Sequence, residues 1–423
     1  IGSGISQIEE FTFANCKSLI GITIPGNVET IGEKAFEYCD ALEYLEIAEG
    51  VESIDGRAFQ HCEILNDLQI SDTVTSIGEY AFAHCLGLES LIIPDSVTEL
   101  GKSAFSSCQN LETVEISNSL TTINEDVFAF CHKLDNIVIP DNVTTIGRSA
   151  FTRCFALSNL ELPANLKNIN ESAFSYCESL TEITLPDSLL NIGKEAFMHC
   201  KNLQAVILSD NLIMLGASAF AHCTSLDHII FGSKLKQIEN YAFYFCESLT
   251  TLKFPESLIS LGSYAFNNCS ALNKVYFLGN APSVGNNVFT GSNAIIYHIV
   301  NKTGWGNTFA GLNTEIWQSK ANFHSEGGQM HENSRFYNVA VPYAELPIPA
   351  WTGYEFQGWW TERIGGEEIA ENSIVPTIIT DHNLYARWEL GLYTITFDSA
   401  GGDQIDAITA NYNSEITAPE TPI

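Results

Sequence analysis

Four times in this chain a histidine stands directly before a cysteine: His61-Cys62, His84-Cys85, His199-Cys200 and His222-Cys223. A thiol beside an imidazole suggests a thiolate nucleophile, and Cys with His is also a zinc ligand set. Both chemistries need side chains that converge. Neighbours in sequence point in different directions, and a reactive thiolate needs an exposed, electropositive setting. In other repeats the same slot holds Tyr38, Ser107, Phe130 or Arg153, so it reads as a variable surface position. No C-x-x-C spacing occurs, which removes the usual zinc frameworks. His61 with His84, and His199 with His222, stand one repeat apart and are expected to stack; that is the one metal geometry left open. No phosphate loop, H-E-x-x-H, G-x-S-x-G or EF-hand loop is present. Paired acids are too common in so acidic a chain to indicate glycosidase chemistry. The reading is therefore no catalytic residue, no metal site and no cofactor.

The cysteines themselves answer to architecture. All twelve fall at a strict interval of 23 residues, from Cys16 to Cys269. Counting each as position zero, +3 is always Leu, +6 is Leu, Ile or Val, and +8 is Ile, Leu or Phe. Position +15 is aliphatic, and +20 is Phe from Phe36 to Phe289, with Phe13 beginning a partial first unit. Rows of like residues at a period of 20–50 signal a solenoid, in which each coil buries its apolar rows against its neighbours. The alternation at +6 and +8 predicts a short strand. Pro at +9 in six units, then usually an acid, predicts a turn. That turn also explains the stacked acids Glu49, Asp72, Asp95, Asp141, Asp187, Asp210 and Glu256 without calcium. V-x-x-I carries the second side, Gly at +16 in eight units marks a corner, and A-F-x-x-C reads as one helical turn. Buried free thiols are expected: same-phase side chains run parallel and do not converge into disulfides.

The pattern L-x-x-L-x-I-P-x-[SN]-V…I-G-x-x-A-F-x-x-C resembles the BspA-like, Treponema-type leucine-rich repeat of bacterial surface proteins. The resemblance covers residues 1 to about 290, with twelve full units and a partial first. The polar ladder position is held by Asn27, Ser96, Asn142, Asn165, Ser188 and Asn211, and Gly50 and Lys234 interrupt it.

The text changes after Cys269. All six tryptophans lie at 305 or beyond. Residues 1–289 are read as the solenoid, 290–317 as its cap, 318–390 as a β-rich module, and 391–423 as the first half of a second copy. The module is similar to the Listeria–Bacteroides (internalin B-type) repeat. Phe323 with Gly327 and Gly328, the segment Gly353 to Trp359, and Leu384 to Trp388 carry that likeness; Phe397, Gly401 and Gly402 restart it. The resemblance implies a small β-grasp-like fold used as a spacer. Tyr354, Trp359 and Trp360 offer either a ligand platform or, as preferred here, the module's core.

In a solenoid the inward rows are architecture, so recognition falls to the outward ones, +5 and +7 on the strand. Most are polar. Ala205, Ile207, His228 and Ile230, followed by Lys253 and Tyr276, form a contiguous and partly apolar candidate binding patch, against the plainer reading that β-branched residues simply favour strands. A second candidate is the aromatic group Phe130, Phe155, Tyr244 and Phe245.

Composition limits the partners. Fifty-one Asp and Glu against nineteen Lys and Arg give a net charge of −32, which repels nucleic acid and anionic lipid. No apolar run approaches the ~18 residues of a membrane span. Both ends read as cuts within a longer protein, with signal peptide and anchor outside. The residues by themselves support an extended, anionic binding scaffold; the family resemblance implies an extracellular, cell-surface adhesin that binds proteins, such as host matrix, plasma or cell-surface proteins. The competing readings are a structural stalk and a carbohydrate-binding protein.

Overall fold

The computed structural model describes residues 1–2 and 4–419. The chain is all-β, and its contacts divide it into two units: Ile1–His298 with Lys302–Glu315, and Ile299–Asn301 with Ile316–Ile423.

Each coil of the first unit lays down two short strands. One, such as Tyr44–Ile47, occupies +5 to +8; the other, such as Ser53–Ile54, occupies +14 and +15. Most strands pair in parallel with their equivalents 23 residues on, as Tyr44 does with Asp67 and Ile31 with Ile54, and the ladders are interrupted between some coils, as between Asp67–Ile70 and Ser90–Ile92. The inward rows are sealed, with Leu42 through Leu249 and Cys39 through Cys269 at essentially zero exposure. Phe13 to Phe289 form one continuous stack, with ring centroids 4.9 Å apart at its start and 6.1 Å at the widest step. Offset stacking of this kind adds to the area that each ring buries.

The corner at A-F-x-x-C is not a helical turn. Residues at +18 and +22, for example Lys34 (φ 55°) and Tyr38 (φ 60°), are left-handed, which no α-helix tolerates. Amides at +18, +20 and +22 donate outward to the next coil: Lys34 to Gly56 O, Phe36 to Ala58 O, Tyr38 to Gln60 O. Those between them close three-residue turns within the coil, as Ala35 does to Gly32 O. Coil-to-coil bonding therefore continues round the corner, and the backbone groups of this buried segment are satisfied.

Glycine at +16 answers to close approach. A Cβ on Gly101 would lie 2.4 Å from the backbone of Gly78 one coil below. Gly50 is left-handed at φ 109°, and its Cβ would fall 2.2 Å from Gly26 O. At the C-terminal end the strand Ile295–His298 continues the sheet, and Trp305, Phe309 and Leu312 pack against the last apolar row.

The second unit holds a five-stranded mixed sheet, in the order 334–338, 318–324, 382–390, 354–360, 368–369. Its central pair is parallel, Phe323 opposite Leu384. Trp359 is core, 1% exposed, against Phe323 at 5.0 Å with its indole N–H on Pro347 O. Trp388 donates to Ser325 O, and a Cβ on Gly327 or Gly328 would strike the rings of Trp351 and Trp388. The strands Leu392–Ile395 and Ile408–Asn411 follow as a separate hairpin.

Candidate binding face

The strand ladder brings the proposed patch together in part. Ala205 lies opposite His228 and Ile207 opposite Ile230, in parallel register. Ile207 is 51% exposed and Ile230 57%, side by side on a face whose inward partners Val206 and Ile229 are buried. Ala205 is half-buried. His228 extends into solvent with Nδ1 3.2 Å from Asp227. Lys253 is exposed on the next strand, and desolvation by its surroundings holds its pKa below the usual lysine value.

Tyr276 departs from the expectation. It is only 5% exposed, and its ring stacks on Tyr297 at 5.0 Å. The reason is the cap: Ile295–His298 extends the sheet and sets Tyr297 beside Tyr276, turning an outward position into a covered one. The accessible patch is therefore Ala205, Ile207, His228, Ile230 and Lys253. Ile92 and Val138, both well exposed, form a second apolar pair on the +7 row. They straddle Glu115 in a shallow depression with Pro94 and Pro140. Reading the row one residue at a time hid this pair behind the glutamate.

The second candidate resolves into a ladder at +22. Phe130, Arg153, Tyr176, His199, His222 and Phe245 stack in one series. The guanidinium of Arg153 sits 5.5 Å from Phe130 and 5.1 Å from Tyr176. Tyr38, His61 and His84 form a shorter series, the two imidazoles 4.4 Å apart and within 7° of parallel. Phe155 lies instead against His132, and Tyr244 meets Phe245 edge-on. Partial burial lowers the pKa of His84, His199 and His222, and the neighbouring imidazole adds to this at His84 and His199. Among the described residues, no group of three or more His, Cys, Asp or Glu is placed to hold a metal ion.

The thiols are free and, apart from half-buried Cys16, fully enclosed. From Cys39 to Cys269 each donates to the phenylalanine carbonyl of the coil before it, as Cys131 does to Phe105 O at 3.4 Å and Cys223 to Phe197 O at 3.2 Å. Burial pushes Cys108, Cys200 and Cys269 up to about 12, so these thiols stay protonated at neutral pH. This S–H ladder explains the invariant phase better than packing alone, because the row must be both small and a donor. The polar ladder at +11 works in the same way: Ser96 donates to Val74 O and Asn142 to Asn118 O. Lys234, read as an interruption, reaches Asn211 Oδ1 at 2.7 Å.

In the second unit the aromatic platform is not assembled. Trp359 is buried, Trp360 is covered by the Arg387 guanidinium at 4.5 Å, and Tyr354 stacks on Trp351 at 4.1 Å.

Known proteins agree with this architecture. Residues 1–112, 52–181, 104–212 and 167–296 match the BspA type leucine rich repeat region, and 320–387 and 393–423 match the Listeria-Bacteroides repeat domain. A leucine-rich repeat protein from Bacteroides ovatus superposes with a TM-score of 0.58 at 28% identity, over 69% of this chain and 82% of that one. One from Eubacterium ventriosum shares the fold at TM-score 0.50 and 22% identity, over 73% and 85%. A protein of Evansella cellulosilytica, provisionally named as a membrane protein, is 39% identical over 112 residues, 26% of this chain. The match spans 16% of that relative's own length. No helix among the described residues is long and apolar enough to cross a membrane. Both repeat types are typical of bacterial surface proteins. The chain belongs to the BspA-type leucine-rich repeat proteins, a surface repeat scaffold whose solenoid is followed by Listeria–Bacteroides repeats.

Proposed function

We propose that the chain is an adhesin: an extracellular scaffold whose strand face binds proteins of a host or a neighbouring cell. The observation that carries this reading is the pairing of Ile207 with Ile230, two adjacent aliphatic side chains more than half exposed on a rigid ladder. Apolar centres with polar rims are what protein partners bury, and the rim here is Lys253, His228 and Asp227. The overall charge of −32 favours a partner whose own rim is basic and speeds its approach.

The test is binding of the chain to immobilised matrix, plasma and cell-surface proteins at low and physiological salt, against a charge-matched acidic control protein. Saturable binding that survives salt and falls at least tenfold in the Ile207→Asp, Ile230→Asp variant is expected. Binding equal to the control, or untouched by that variant, refutes the reading and leaves a stalk without a specific ligand.

A further inference from the structure

A second outward row, at +13, changes character along the solenoid. It begins Glu29, Glu52, then runs Thr75, Thr98, Thr121, Thr144, and then becomes Lys167, Leu190, Ile213, Lys236, Ile259. These last five are consecutive coils of one ladder, with Leu190 N–H on Lys167 O, Lys236 N–H on Ile213 O and Ile259 N–H on Lys236 O. Leu190, Ile213 and Ile259 are each about half exposed, and Met214 beside Ile213 is exposed as well. Lys167 and Lys236 are exposed and join no ion pair among the described residues. The adjoining +14 row over the same coils reads Asn168, Asn191, Met214, Gln237, Ser260, without a single acid.

We infer that the row Lys167–Leu190–Ile213–Lys236–Ile259 is a docking strip for an extended acidic-aliphatic segment of a partner protein. Strand preference alone does not set this row: Leu190, Lys167 and Lys236 are not β-branched, and coils 75 to 144 meet the same backbone demand with threonine. Charge selects the occupant. In a chain with 51 acids, five coils without a carboxylate on this row, with two ammonium groups bracketing Leu190 and Ile213, are locally complementary to an acidic segment. At physiological salt the carboxylates elsewhere are screened beyond about 8 Å, so the local pair governs.

Geometry sets the spacing. Lys167 and Lys236 are three coils apart, about 14 Å at ~4.8 Å per strand. An extended segment rises about 3.4 Å per residue with alternate side chains on one face. Carboxylates at i and i+4 therefore meet both lysines, and an aliphatic side chain at i+2 lies over Leu190 and Ile213. A second copy of the strip is a poorer occupant, because a two-fold pairing that joins Leu190 to Ile213 sets Lys167 against Lys236. Two cations on so acidic a chain are also few for an anionic lipid surface.

The experiment uses the full chain and a fluorescein-labelled nine-residue peptide with glutamates at its third and seventh positions, leucine at the fifth, and serine or threonine elsewhere. Fluorescence anisotropy is expected to show saturable binding. That binding should weaken at least tenfold in the Lys167→Gln, Lys236→Gln variant and in Ile213→Asp, and stay unchanged in Ile207→Asp, Ile230→Asp, which separates this strip from the adhesive face. Circular dichroism checks that the variants fold. The inference is overturned by absent binding, by equal binding of a peptide with adjacent glutamates, or by indifference to the lysine variant. It is equally overturned if phosphatidylserine vesicles bind the strip and the peptide cannot compete, or if sedimentation shows self-association that Lys167→Gln abolishes.

Discussion

In the solenoid the large buried side chains are one residue type repeated, Phe36 to Phe243 at a fixed interval, each touching the ring before and after it. In the module beyond it they are a mixed set: Trp359 against Phe323 and Phe356, and Tyr337 against Phe323 and Tyr343. The first core is a line and the second is a knot. A line couples nearest neighbours, so damage in one coil is expected to stay near that coil. A small knot has no spare partners, so damage anywhere reaches all of it.

The sharpest way to break this contrast is to remove one ring from each. Trp359→Ala deletes a fully buried indole and orphans Pro347 O, at a cost of about 3–5 kcal/mol. Phe151→Ala removes a ring stacked between Phe128 and Phe174, with a loss of the same order. Hydrogen exchange should show protection lost across all five strands of the module in the tryptophan variant. In the phenylalanine variant it should be lost in the coils around residue 151 and kept near Phe36. Uniform loss along the whole solenoid would show that it folds as one unit and end the comparison.

Regularity also decided what was legible beforehand. Rows at +3, +6, +8, +15 and +20 announced the solenoid because each names an inward direction coil after coil, until Val284 at the end of the +15 row, which is exposed. The corner was misread because A-F-x-x-C has helical spacing, whereas its conformation is set by left-handed residues at +18 and +22. A signal for this was present: neither slot ever holds Val, Ile or Thr, the residues that tolerate positive φ least. The Ile207–Ile230 pair was readable from the strand period, but the burial of Tyr276 was not, because it depends on Tyr297 in a cap that leaves the repeat. The cysteine row was legible as buried thiols; its hydrogen bonds to the preceding coil depend on three-dimensional register.

A smaller effect separates the regions by pH. His199 and His222 stack on each other, with Tyr176 and Phe245 outside them and Lys201, Glu178 and Glu247 nearby. Their folded pKa lies below the ordinary value near 6.5, chiefly because burial penalises the charged ring. The unfolded chain then binds more protons, so this contribution to stability is full above about pH 7 and declines as pH falls through 6.5. Exchange in coils 199–245 should accelerate between pH 7.5 and 5.5, after correction for intrinsic rate. His199→Phe with His222→Phe keeps a stack and removes the titration, so it should flatten that dependence. An equal pH response in both proteins would assign it to carboxylates instead.

The smallest expected effect concerns charge, and it again sets a line against a knot. Along +17 the solenoid alternates Lys102, Glu125, Arg148, Glu171 and Lys194, with successive contacts of 2.9, 3.6, 3.9 and 3.4 Å. In the module, Arg335 grips Glu332 through Nε and Nη2, the latter at 2.6 Å, and donates Nη1 to Glu345 O. That grip holds the Glu332 carboxyl below the usual range. Exposed pairs contribute about 0.2–1 kcal/mol, and fixed forked geometry raises the figure within that range. Arg148→Gln loosens two long contacts yet leaves Glu125 with Lys102 and Glu171 with Lys194 as partners. Its cost should therefore fall near the bottom of that range and vanish in 1 M salt, where the Debye length is about 3 Å. Arg335→Gln takes from Glu332 its forked partner and leaves the Glu345 carbonyl only the longer bond from the Tyr337 hydroxyl, so its cost should be larger and persist in salt. Denaturant melts of both variants at low and high salt decide it: a salt-insensitive loss for Arg148→Gln would mean that the ladder acts through packing of the arginine stem rather than through charge.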